Sequence, residues 1–127
     1  MEYATLIVLL ALLQYVYFTI RVGASRGKHH IDAPSCKGDE TWERMFRVQQ
    51  NTMEQLVVMI PASFAFAYYV NAQWVLLPGA IFIVGRFLYS AEYVKDPKTR
   101  VPGMSLTLLA NVILVLGSLG AVLKGLL

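Results

Sequence analysis

Charge and cysteine are both scarce in this sequence of 127 residues. Charged residues make up 15% of the chain, whereas a soluble domain usually has about a quarter. Because 57% of the residues are hydrophobic, the composition favours a membrane protein over a water-soluble domain. The single cysteine, Cys36, excludes an intramolecular disulfide.

Several classes of site also lack their sequence patterns. No P-loop, Rossmann glycine pattern or serine triad is present. His29, His30 and Cys36 could suggest a metal site, but adjacent histidines do not easily point at one ion and no second cysteine completes a tetrahedral set. The net charge is +3, yet the basic residues lie between hydrophobic runs, where they orient a membrane protein. We therefore expect neither a metal nor a nucleic-acid partner.

The sequence instead contains long apolar runs. Crossing a bilayer takes about 20 helical residues. The runs predict helices over residues 3–22 and 74–93, and a fourth helix that Pro102-Gly103 opens and that is apolar over residues 104–123. The second helix is predicted over residues 41–71, with an amphipathic, charged first half and an apolar run only at residues 56–70. Glycine, serine, proline and charge make residues 23–40 a predicted loop, with Asp39 or Thr41 as the cap of the second helix, and residues 71–73 a tight turn. We predict an all-α, antiparallel bundle of four transmembrane helices forming a single domain over residues 1–127, with a kink at Pro61.

Lysine and arginine predict the orientation of the bundle. Six lie between Arg21 and Arg47 and four between Arg86 and Arg100, whereas the turn between helices two and three has none. The positive-inside rule puts both basic loops in the cytoplasm and both termini outside. A bacterial inner membrane and an endoplasmic reticulum fit equally.

The second predicted helix contains charged residues at membrane depth. Arg47, Asn51 and Glu54 are spaced i, i+4, i+7 and fall on one helical face. A charge in lipid costs at least ~2.5 kcal/mol, so this face must contact protein, water or a ligand. Two alternatives are equally favoured: a ligand site, or buried ion pairs that join Glu43 to Arg47 and Glu54 to an arginine of helix three.

The third predicted helix has a matching set. Arg86, Tyr89 and Tyr93 share one face at i, i+3, i+7, although tyrosines near a helix end are also ordinary interfacial anchors. Both polar faces lie toward the cytoplasmic ends of their helices and so can meet. Their cations, amides, phenols and one carboxylate suit a small zwitterionic ligand with more than one carboxylate.

The string ERMFRVQQNTMEQ, residues 43–55, resembles the helix-two signature of the MAPEG family, the membrane-associated proteins in eicosanoid and glutathione metabolism. The R-x-x-Y-x-x-x-Y pattern from Arg86 and an arginine, Arg100, before the proline that opens helix four also resemble the family. The resemblance covers the whole chain. It implies a homotrimer of four-helix subunits that binds glutathione between neighbours in the cytoplasmic half.

The resemblance also implies residue roles. On one subunit it assigns glutathione binding to Arg47, Asn51, Glu54 and Tyr89, with Tyr93 lining the site; Arg26 and Gln49 would reach it from the neighbour, and Arg100 would be the catalytic residue that stabilises the glutathione thiolate. A nearby cation lowers the pKa of a thiol, and the thiolate is the nucleophile. The chain departs from the leukotriene-forming branch at Gln55, where that branch has a tyrosine.

The sequence thus predicts a glutathione transferase or peroxidase whose hydrophobic or lipid acceptor arrives from the bilayer, among membrane lipids. One alternative is a non-catalytic protein that binds lipid or glutathione; Arg100 and the two tyrosines favour the enzyme, because a binder needs no thiolate-stabilising cation. The other alternative is a small four-helix multidrug transporter. Such transporters rely on an acidic residue in the first span, and the predicted first span has none.

Overall fold

The computed structural model describes residues 1–33, 35, 37–96, 98 and 101–127. Its elements are α1 (Glu2–Lys28), α2 (Glu40–Tyr69), α3 (Leu76–Lys95) and α4 (Val101–Leu126). No strand occurs among the described residues. The predicted all-α bundle of four helices is confirmed.

Helix α1 is longer than the sequence predicts. The region 23–28, predicted as the start of a loop, continues the helix to Lys28, so that part of the loop prediction is wrong. The extra turns contact α2 through Trp42: the Arg26 guanidinium carbon lies 4.7 Å from the Trp42 ring centroid, and Trp42 Nε1 donates to the carbonyl of Val22, just before these turns, over 3.1 Å. This tertiary contact outweighs the weak helix propensity of the two glycines in the segment.

Helix α2 starts at a side-chain cap. Asp39 Oδ1 accepts a hydrogen bond from the Trp42 backbone N–H over 2.9 Å, as one of the two predicted caps requires. Pro61 lies inside the continuous helix, and the kink expected there stays a prediction. At the far end, Asn71 Oδ1 accepts from the backbone N–H groups of Gln73 and Trp74, which closes the turn to α3.

Helix α4 begins at Val101, one residue before the Pro102-Gly103 pair predicted to open it. Pro102 occupies the first turn, where its missing N–H has no helical partner to lose. In the bundle, α1 and α4 each pack against both α2 and α3. The main core is apolar and includes Ala11, Met59, Phe82 and Leu114.

The outer surface of the bundle is also apolar. Leu13, Val57, Leu108 and Leu116 are among many large hydrophobic side chains that are more than half exposed. Within the described ranges, α1 and α4 are long and apolar enough to cross a membrane by length and composition, and most of each is exposed. Extended apolar surface of this kind marks contact with a partner or a membrane.

Candidate functional site

A buried arginine lies at the centre of the polar region between α2, α3 and α4. Arg86 is 1% exposed. Its Nε donates to Thr107 Oγ1 over 3.0 Å, and its Nη1 donates to Asn51 Oδ1 over 2.6 Å and lies 3.4 Å from Thr52 Oγ1. These bonds replace the water that a guanidinium loses on burial. Arg86 therefore connects three helices through hydrogen bonds within its own chain.

Two glycines let α4 approach α3 beside this arginine. A Cβ at Gly103 would lie 2.3 Å from the Tyr89 backbone nitrogen, and one at Gly85 would lie 2.9 Å from the Leu106 Cβ. Neither added Cβ could be accommodated easily, because backbone atoms lie in the way: the Tyr89 nitrogen at Gly103, and the Thr107 nitrogen, 3.0 Å distant, at Gly85. The close packing fixes Arg86 and Tyr89 against the start of α4.

Tyr89 and Tyr93 form a buried aromatic stack. Their ring centroids are 5.2 Å apart with an interplanar angle of 12°, and both side chains are buried with Phe18 and Val48. The Arg86 guanidinium carbon lies 4.5 Å from the Tyr89 ring centroid, in the geometry of a cation–π contact. The predicted shared face of Arg86, Tyr89 and Tyr93 is thus present and faces the interior of the bundle.

A groove between α2 and α4 opens onto this network. Its volume is about 400 Å³. It is lined by Asn51, Gln55, Arg86, Val101, Met104, Ser105, Thr107 and Leu108. Polar groups of α2 and α3 form one part of the lining, and apolar side chains of α4 form another. We call it the polar groove.

Gln55 on the lining of the polar groove is held by α4. Its Oε1 accepts a hydrogen bond of 2.9 Å from Asn111 Nδ2, and Asn111 is buried. The Gln55 NH₂ makes no hydrogen bond with a described residue and is therefore available as a donor. The hydrogen bond from Asn111 therefore fixes the orientation of the Gln55 amide at the polar groove.

Arg47 and Glu54 differ from Arg86 in having no partner. Both side chains are exposed, and neither makes a hydrogen bond or an ion pair with any described residue. The proposed ion pairs Glu43–Arg47 and Glu54–Arg86 are not formed within this part of the chain. Asn51, on the same face of α2, lines the polar groove and contacts Arg86.

Arg26 and Gln49 lie on a different side of the bundle, where α1 meets α2. Gln49 Nε2 donates to Thr19 Oγ1 over 3.2 Å. Arg26 Nη1 donates to the Ser35 carbonyl over 2.9 Å, and its guanidinium carbon lies 4.7 Å from the Trp42 ring. Neither residue lines the polar groove.

The loop end of the bundle is held by polar contacts. Arg44 contacts Glu40 and donates to the carbonyls of Val94 and Lys95, which places a cation at the negative end of the α3 dipole. The hydrogen bond from the Trp42 backbone N–H, followed by the charge of His29, holds the pKa of Asp39 below its usual value.

Two residues named from the sequence, Arg100 and Cys36, lie outside the described residues. His29 Nδ1 lies 3.1 Å from Asp39 Oδ1. In the described ranges no group of histidine, cysteine and carboxylate side chains is arranged to hold a metal ion.

Sequence reasoning found the polar face of α3 but missed what Arg86 contacts. Thr52 and Thr107 carried no signal, because an isolated threonine in an apolar helix ordinarily bonds to its own backbone. Both also do so here, Thr107 to the Gly103 carbonyl and Thr52 to that of Val48. Only the packing of α2 and α4 on α3 shows that they also accept from Arg86.

Comparison with known proteins identifies the family. The profile of the MAPEG family matches residues 4–120. The chain is 37% identical over 118 residues to an uncharacterized protein of Synechocystis sp., covering 93% of this chain and 86% of that protein. It is 33% identical over 113 residues to human microsomal glutathione S-transferase 2, covering 88% and 77% of the two chains.

A more distant similarity connects it to leukotriene C4 synthase of Rattus norvegicus, at 26% identity over 95 residues, 75% of this chain and 63% of that protein. The family match spans all four helices, two of which are long and apolar enough to cross a bilayer. The chain is an integral membrane protein of the MAPEG family.

Proposed function

We propose that this protein is a membrane-bound glutathione S-transferase or peroxidase that acts on hydrophobic electrophiles. The observation that carries the proposal is the unpartnered pair Arg47 and Glu54, on the same face of α2 as Asn51, beside the polar groove. The microsomal glutathione S-transferases among its relatives support the same activity.

Glutathione matches the charges that this region leaves free. It carries two carboxylates and one ammonium group. The Arg47 guanidinium can pair bidentately with a carboxylate, and the Glu54 carboxylate can bind the ammonium. Asn51 and the Gln55 amide supply neutral hydrogen bonds beside them. Tyr89 and Tyr93 do not line the polar groove but lie behind Arg86, and their predicted part in binding glutathione stays a proposal. Arg86 itself positions Asn51.

We further propose that the site is completed by a neighbouring subunit in a homotrimer, each subunit a single four-helix unit of residues 1–127. Arg26 and Gln49 lie at the α1–α2 side, whereas the polar groove opens between α2 and α4. If the α1–α2 side of one subunit packs beside the polar groove of the next, both residues approach the same ligand. The proposed glutathione site then lies between subunits.

The proposed chemistry begins with the glutathione thiol. Arg100, in the connection between α3 and α4, would stabilise the thiolate by its charge, which favours loss of the proton near neutral pH. In conjugation, sulfur forms a bond to an electrophilic carbon and the leaving group departs with the bonding electrons. In peroxide reduction, two glutathiones are oxidised to their disulfide while the hydroperoxide becomes an alcohol and water.

The acceptor would reach the site from the bilayer, which the exposed apolar surface of α4 contacts. We do not extend the proposal to leukotriene synthesis, because Gln55 stands where the leukotriene-forming branch has a tyrosine.

The basic loops are proposed to face the cytoplasm and the termini the outside. A cysteine placed at Lys28 of a Cys36→Ser variant should then react with an impermeant maleimide only from the cytoplasmic side.

The direct test is glutathione binding and turnover by the protein purified in detergent. We expect binding at millimolar glutathione, formation of thiolate absorbance, and conjugation of a model electrophile. Arg100→Ala should lose turnover and thiolate absorbance, whereas Lys98→Ala, which removes a charge from the same connection, should retain both. Absence of glutathione binding would overturn the proposal.

Two other outcomes separate its parts. Binding without turnover toward electrophiles and hydroperoxides would identify the protein as a non-catalytic glutathione binder. Native mass spectrometry should give a trimer; a stable monomer would remove the intersubunit site while leaving the polar groove of each chain.

A further inference from the structure

A second groove lies between α1 and α3. Its volume is about 410 Å³, and it is lined by Leu10, Leu13, Gln14, Tyr17, Ile83 and Phe87. Its walls are apolar apart from Gln14, whose Nε2 donates to the Ile83 carbonyl over 2.9 Å and joins the two helices at this level. We call it the apolar groove. It shares no lining residue with the polar groove.

A cation without a partner lies one turn beyond this groove. Arg21 follows Tyr17 by four residues and Gln14 by seven, so all three share one face of α1. The Arg21 Nε and Nη2 atoms are buried and have no hydrogen-bond partner among the described residues. Its guanidinium carbon lies 5.1 Å from the Phe18 ring. A ring face supplies no acceptor to replace the lost water.

An unpaired guanidinium at a bilayer surface requires an anion. The free energy of leaving such a group desolvated and unpaired is large, and a long arginine side chain can turn toward the head-group layer. Arg21 is the first basic residue after the apolar stretch of α1, with Arg26 and Lys28 beyond it. It therefore lies where the hydrocarbon ends and lipid phosphates begin.

The length of the apolar groove agrees with this position. From Leu10 to Arg21 an α-helix rises about 16 Å, since each residue adds 1.5 Å. Half of a bilayer hydrocarbon core of ~30 Å is about the same length. The face of α1 from Arg21 to Leu10 thus spans one leaflet, the depth of a single extended acyl chain.

We propose that the apolar groove binds one molecule of an anionic phospholipid. The Arg21 guanidinium pairs with the head-group phosphate, and one acyl chain lies along Tyr17, Leu13 and Leu10 against Phe87. The site is separate from the proposed glutathione site, and it does not depend on that activity.

Lipid retention in native mass spectrometry tests this site. The full chain is exchanged into mixed micelles containing phosphatidylglycerol and phosphatidylcholine with identical acyl chains. We expect one phosphatidylglycerol retained per subunit, in preference to phosphatidylcholine. Arg21→Gln should lower that retention by roughly tenfold, as expected for loss of a charge-assisted hydrogen bond. Lys28→Gln, the same charge change outside the groove, should have little effect.

A second pair of variants tests the acyl-chain part independently of charge. Leu13→Trp fills the apolar groove and should lower phosphatidylglycerol retention, whereas Leu116→Trp, at a similarly exposed leucine of α4 outside the groove, should not. Glycerol phosphate, which has the head-group charge without acyl chains, should fail to displace the lipid. If Arg21→Gln does not fold, the two tryptophan variants decide the question alone.

Equal retention of the two lipids by the natural protein would overturn the proposal. So would equal losses in Arg21→Gln and Lys28→Gln, because these would show a general attraction of basic residues for anionic lipid.

Discussion

Arg86 and Arg47 are two arginines on facing helices of one bundle, and their surroundings are opposite. Arg86 is almost fully buried and donates to Asn51 and Thr107, with Tyr89 under its guanidinium. Arg47 is exposed and has no partner among the described residues. A cation whose hydrogen bonds are satisfied within its own chain supports the fold. A cation left without partners is available to a ligand.

The largest expected effect comes from removing each of these two cations in a separate variant. Arg86→Leu should lower the free energy of unfolding by roughly 3 kcal/mol, because Asn51 and Thr107 lose a charged donor in a buried site. Arg47→Gln should change that stability by less than about 0.5 kcal/mol, as surface substitutions usually do. Denaturant titration in detergent, followed by circular dichroism, measures both.

Glutathione binding should respond in the reverse sense. Arg47→Gln should weaken it by roughly tenfold through loss of a charge-assisted contact. If Arg47→Gln were instead as destabilising as Arg86→Leu, the distinction between a structural and a ligand-binding arginine would be wrong.

The next effect concerns the packing that supports Arg86. Gly103→Ala should destabilise the bundle by about 2 kcal/mol, because its Cβ would overlap the Tyr89 backbone. Gly120→Ala is the matched control: its Cβ would meet nothing within 4 Å, and alanine favours a helix over glycine by up to about 1 kcal/mol. Thermal unfolding in detergent should therefore shift in opposite directions for the two variants.

A smaller effect on stability is expected from the hydrogen bond between the two uncharged amides Gln55 and Asn111 at the polar groove. Asn111→Leu leaves Gln55 Oε1 without its donor and should cost about 1 kcal/mol. Replacing both partners, Gln55→Leu with Asn111→Leu, should recover most of that loss, since no buried polar atom is left alone. A double variant with the summed losses of both single variants would show that the two amides do not act as a pair.

The smallest effect is the pH dependence of the α2 cap. The pKa of Asp39 is lowered in the folded protein, so its charge contributes stability above the unfolded pKa of ~3.9 and loses it as pH falls through the folded value. Asp39→Asn keeps a capping oxygen but removes this dependence. The difference in thermal stability between the two proteins should therefore be present at neutral pH and disappear in strong acid.

The sequence predicts the fold more completely than the site. Apolar runs predict α1, α3, α4 and the second half of α2, and an amphipathic pattern predicts the charged first half of α2. The sequence predicts the end of α1 six residues too early, because the last turns contact Trp42, which is distant in sequence. Local propensity cannot register such a contact.

Periodicity alone also placed Arg47, Asn51 and Glu54 on one face of α2, and Arg86 with two tyrosines on one face of α3. It could not show which residues are buried, because burial depends on how α4 lies over α3. Gly85 and Gly103 decide that approach, and nothing local distinguishes them from Gly120, which has open space beside it.

The extended α1 has a further consequence. Its 27 residues measure about 40 Å along the axis, roughly 10 Å more than the hydrocarbon core of a bilayer. If Arg21 marks the phosphate layer, the last two turns stand in water and carry Arg26 above the lipid. The single helix α1 then crosses from the hydrocarbon core into water. A change in bilayer thickness would move its C-terminal end, with Arg26, relative to the phosphate layer.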